Sequence, residues 1–90
     1  MGHIMTFAEV YTGKLRDNLV HPLGDINEKI PKVANRLFIK CSMPFTFIGR
    51  NGGEMDVRSG VCYDSGDVSM LSLNDLRVRG IGDYILEVYV

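Results

Sequence analysis

Tryptophan is absent from this chain, and its aromatic residues are four Phe and four Tyr. A basic excess is missing too. Ten Lys/Arg stand against eleven Asp/Glu for a formal charge of −1, whereas a domain built to grip phosphate backbones presents a strongly basic face. Nucleic acid is therefore not an expected partner. Cysteine is confined to Cys41 and Cys62, with no CxxC and no neighbouring histidine, so the spacing of a zinc site is lacking and no metal is expected. No apolar run approaches the ~20 residues that a membrane-spanning helix needs, and no membrane partner is expected. The opening residues also lack the basic and apolar regions of a secretory signal, which leaves the compartment open and favours the cytoplasm.

What is present is ordinary for one small globular domain: 90 residues, 46% apolar and 23% charged, too apolar for a disordered chain. Residues 1–4, in an opening that holds both Met1 and Met5, are read as a cloning remnant, leaving residues 5–90 as a single β domain. The two cysteines, each flanked by apolar residues, read as buried reduced thiols. The alternative is a disulfide between neighbouring strands, which requires Cα atoms within roughly 7 Å.

Period-2 alternation and regularly spaced turns dominate the chain. Residues 5–12 form an apolar strand that Gly13 is expected to end. Residues 14–23 hold turn chemistry at Asp17-Asn18 and His21-Pro22 around a short Leu19-Val20 run. The one helical signal is Ile26, Ile30, Val33 and Leu37, at i, i+4, i+7 and i+11, with Asp25 and Glu28 spaced as a capping box. Pro31 limits it to a short helix near residues 25–37, since proline is comfortable only in a first turn. Leu37, Ile39, Cys41 and Met43 then share a strand face, and Pro44 marks a bend. Asn51-Gly52 between two β-like runs signals a hairpin, whose return strand should put Met55 and Val57 inward. Turns recur at 49–53, 59–60, 64–67, 74–75 and 80–83. The expected fold is all-β and mainly antiparallel: a small sandwich or barrel of about six to eight short strands with one short helix.

The last twenty residues carry the clearest strand signal. Leu76 and Val78 alternate with Arg77 and Arg79. Gly80-Ile81-Gly82-Asp83 reads as a turn, and Tyr84 to Val90 is rich in β-branched and aromatic residues. A closing hairpin is expected. Asp83-Tyr84 leading the Leu86, Val88, Val90 face after a glycine resembles the tyrosine corner of immunoglobulin-like sandwiches, in which a Tyr hydroxyl bonds back to the backbone a few residues upstream. That resemblance implies an Ig-like sandwich closed by Tyr84.

Catalytic patterns are thin. The Asp64-Ser65-Gly66-Asp67 turn offers too few oxygens for calcium. Glu54 and Asp56, interleaved with Arg50 and Arg58, read as a solvated face rather than an acid/base pair. His21 is the only histidine outside the opening residues, and neither thiol carries a nucleophile signature. The glycines of 49–53 and 80–82 precede no helix, so no phosphate cradle and no cofactor is expected. The functional expectation is a non-catalytic binding or assembly module acting through a sheet face or edge, with a protein partner or a homo-oligomer. A viral or phage structural or inhibitory protein is a fitting home for such a module. Its candidate interface residues are Ile85 and Tyr89, on the second apolar face of the last strand, with Arg77 and Arg79. The alternative is a small-ligand or carbohydrate-binding domain, or a minor enzyme, using His21, Tyr63, Asp64 and Asp67.

Overall fold

Alternation builds two long segments that lie side by side. In 36–48 the odd-numbered residues Leu37, Ile39, Cys41, Phe45 and Phe47 are buried, and in 77–89 the even-numbered Val78, Tyr84, Leu86 and Val88 are buried. A computed structural model describes residues 8–66 and 71–89. Its strands are β1 (Ala8–Leu15), β2 (His21–Pro22), β3 (Val33–Ala34), β4 (Arg36–Cys41), β5 (Phe45–Ile48), β6 (Glu54–Val57), β7 (Tyr63–Asp64), β8 (Leu71–Ser72), β9 (Arg77–Gly80) and β10 (Gly82–Tyr89). They form two four-stranded antiparallel sheets, ordered β1-β10-β4-β7 and β2-β9-β5-β6, with a small β3-β8 pair beside them. Residues from the inward faces of both sheets join one hydrophobic cluster, so the chain is an all-β, sandwich-like fold.

The two sheets share a single ribbon. β4 pairs with β10, ending at Cys41↔Tyr84, and β5 pairs with β9, starting at Phe45↔Gly80. Equal steps along both strands separate these two pairs, so the register passes from one sheet to the other without an inserted residue. Side-chain parity is therefore kept, and the same face of the ribbon points inward on both sides of the bend. The bend is clasped by the Ser42 N–H donating to the Asp83 carbonyl (2.8 Å) and the Asp83 N–H donating to Ser42 Oγ (2.9 Å). Gly82 is required there: its φ is +110°, and a Cβ would meet Met43 Cγ and Ser42 Oγ at 2.8 Å.

This corner corrects the expected closing hairpin. β9 and β10 belong to different sheets and do not pair. With only Ile81 between them the chain turns a corner instead of reversing, and the even-numbered apolar set continues through it. Asn51-Gly52 does close a hairpin, β5 to β6 in register Ile48↔Glu54, with the Gly52 N–H bonded to the Gly49 carbonyl at 2.9 Å.

The short helix expected near residues 25–37 is also corrected. Among the described residues the only helical element is a 3-10 turn, Leu23–Asp25. The backbone at the start of this turn and beyond it finds tertiary partners: Leu23 N–H bonds the Leu76 carbonyl (2.8 Å) and Leu73 N–H bonds the Lys32 carbonyl (2.9 Å). Ile30 and Leu37 are buried, yet Val33 is 48% exposed while Ala34 turns inward, so the helical spacing marks no continuous face. Among the described residues strands number ten, four of them only two residues long, which is more than the six to eight expected.

β1 runs through Gly13 rather than ending there. The Tyr84 ring lies across Gly13, its strand partner, so closely that a Cβ would sit 2.9 Å from Cε2. An aromatic covering a strand glycine compensates for the missing side chain. The Tyr84 hydroxyl donates to the Ile26 carbonyl at 3.2 Å. That bond reaches across the fold, not a few residues upstream, so it is not a tyrosine corner. Both cysteines are free; Cys41 is buried as expected, but Cys62 is exposed. Val57 faces inward, whereas Met55 is 52% exposed. Residues 5–7, Asp67 and Val90 lie outside the described residues. No helix among those described is long and apolar enough to cross a membrane.

Candidate functional site

Strand parity decides what each sheet shows to the outside. On the first sheet, register places Val10 beside Glu87, and Thr12 beside Ile85. On the other side of β10, Tyr89 lies beside Arg36, Glu87 beside Phe38, and Ile85 beside Lys40. Phe38 in turn neighbours Asp64. All of these residues share the outward face, opposite Leu86, Val88, Leu37 and Ile39. Val10 and Ile85 remain 57% and 42% exposed.

Specific contacts order this face. Phe38 and Tyr89 meet edge to face, with centroids 5.7 Å apart at 73°, a favoured aromatic geometry. The Arg36 guanidinium lies 4.8 Å from the Phe38 centroid and grips Asp64 with two bonds, Nε to Oδ1 at 3.1 Å and Nη2 to Oδ2 at 2.7 Å. Such a planar fork holds both partners in one orientation. Asp64 Oδ1 also accepts the Gly66 N–H at 2.8 Å. Those bonds, that from Arg36 foremost, hold the Asp64 carboxyl below its usual range. Cys62 lies near the same charges. Burial raises its thiol above the ordinary value, the Glu87 and Asp64 carboxylates add to the rise, and Lys40 opposes it.

The second sheet shows a different surface. Arg77 and Arg79 do share one outward face, as alternation requires, but it is this sheet's and not that of Ile85 and Tyr89. Arg79 reaches Glu54 Oε1 at 3.0 Å, and Thr46 Oγ1 donates to Asp56 Oδ1 at 3.0 Å. The acidic and basic residues of β6 and β9 thus answer one another across β5.

The ligand-binding set is distributed. His21 Nε2 contacts Asp17 Oδ1 and Oδ2 at 2.8 and 3.0 Å, and that contact is the foremost cause holding the Asp17 carboxyl below its usual range. The pair borders a recess of about 200 Å³ with Lys14, Arg16 and Asp25. Tyr63 stacks on Phe47 with centroids 4.1 Å apart and lines a different recess, about 420 Å³, with Met55, Val57 and Val61. Asp64 borders that second recess while committed to Arg36. Among the described residues no three His, Cys, Asp or Glu side chains gather as a metal site.

Val10 and Phe38 are the surface residues that sequence reasoning missed. Their signal was parity: once Ile85 is outward and β10 is central, the residues paired with Glu87 must share its face. No protein-family model, curated protein or solved structure matches the chain.

Proposed function

We propose that this chain is a non-catalytic docking module that acts through the outer face of its first sheet. The observation that carries the reading is Ile85, an aliphatic side chain 42% exposed on the central strand of that sheet. Val10 and Phe38 lie diagonally beside it, and Tyr89 stands two outward positions further along β10. An apolar group on an inner strand of a four-stranded face gains by being covered, at about 25 cal/mol per Å² removed from water.

Hydroxyl-radical footprinting tests this. The chain is probed dilute, concentrated, and mixed with an extract of the cells that carry it. Protection of Val10, Phe38, Ile85 and Tyr89, with Met55 and Val61 still oxidised, is the expected result. Oxidation of each of the six that does not change between conditions removes the reading.

A further inference from the structure

We propose that the occupant of this face is a second copy of the same chain, packed face to face about a two-fold axis that runs through Ile85 and Phe38. The inference rests on the docking reading and names its partner. It is carried by the arrangement of four side chains. Glu87 lies beside Phe38 on the neighbouring strand, and Ile85 lies beside Lys40. The four form a checkerboard with opposite charges on one diagonal and apolar groups on the other. Lys40 and Glu87 make no ion pair with any described residue.

A checkerboard of this kind is complementary to itself. Rotating a copy by half a turn about the apolar diagonal sets Ile85 on Ile85 and Phe38 on Phe38. The same rotation sets Lys40 over Glu87 of the other copy, twice. It also brings Arg36 of each copy over Asp64 of the other, so the outlying charges are matched as well. Strands spaced about 4.8 Å apart, with a two-residue step of about 6.8 Å, place that diagonal roughly 35° from the strand direction. Strands of the two copies therefore cross at roughly 70°, close to the orthogonal class of sheet packing. A half-turn about the other diagonal would instead set Lys40 on Lys40 and Glu87 on Glu87. A two-fold interface is also the commonest way for one surface to satisfy itself.

Charge reversal reads this out. Sedimentation velocity over a concentration series is run on the wild type, on Lys40→Glu and on Glu87→Lys, with circular dichroism to confirm that each is folded. The wild type is expected to dimerise. Each single reversal replaces two attractions by two repulsions and should weaken the dimer by roughly 30-fold. An equimolar mixture of the two variants restores opposite charges at both contacts, so it should dimerise as well as the wild type. Single variants that dimerise normally, or a mixture that stays monomeric, overturn the arrangement. A wild type that stays monomeric at every concentration overturns the second copy as occupant. The footprint with extract then decides whether docking itself survives.

Discussion

The two outer faces of this molecule lie on one ribbon and differ in how they meet solvent. On the second sheet the outward residues of β6 and β9 are charged, and Arg79, Thr46, Glu54 and Asp56 answer one another. On the first sheet the ion pair of Arg36 and Asp64 sits to one side, while Val10 and Ile85 stay exposed beside an aromatic pair. The same alternating chain makes both faces, so parity alone does not distinguish them. What differs is which residues occupy the outward positions after the corner at Ile81. A single corner thus lets one ribbon contribute to a largely charged surface on one sheet and, on the other, to a surface that exposes Ile85.

The largest expected effects come from confusing inside with outside on β10. Leu86 is fully buried and its neighbour Ile85 is not. Leu86→Ala should cost ~2–5 kcal/mol, the usual range for a cavity left in a packed core. Ile85→Ala should lower monomer stability by only about 1 kcal/mol while weakening association. Urea denaturation of both variants at low concentration separates the two. Similar losses for both would mean that β10 has no free face.

A smaller effect lies on the Arg36–Asp64 pair. The folded state holds the Asp64 carboxyl below its usual value, and so favours its ionised form. The resulting stability is present above the unfolded carboxylate pKa of about 3.9 and is lost as pH falls through the lower folded value. Asp64→Asn should therefore narrow the difference in urea midpoint between neutral pH and pH values below about 3.9. An unchanged acid limb would show that the pair is not formed in solution.

Much of this was legible in the residues themselves. The strand faces of β4 and β10 follow from alternation, and Asn51-Gly52 closes its hairpin because a turn is a local matter. The corner was harder to read. Gly80-Ile81-Gly82-Asp83 has turn chemistry, and whether the chain then reverses or continues depends on partners in β4 and β5 that no local window contains. Local alternation therefore places Arg77 and Arg79 with Ile85 and Tyr89, although they end on different sheets. The expected helix failed for a related reason. Ile26, Ile30 and Leu37 have helical spacing, but Pro31 interrupts it and residues 71–76 supply backbone partners for Leu23 and Lys32. Tyr84 stands out in the sequence, but its partners, Gly13 and Ile26, lie far away in the chain, so no tyrosine corner forms.

The contrast between the two faces can be tested in one measurement. Sedimentation velocity compares the wild type with Ile85→Lys on the first sheet and Arg79→Ala on the second. Arg79 is partly exposed, and losing its ion pair should cost under ~1 kcal/mol of stability. The expected result is a wild-type dimer that Ile85→Lys abolishes and Arg79→Ala leaves intact. A dimer untouched by Ile85→Lys, or one lost with Arg79→Ala, would contradict the assignment of docking to the first sheet.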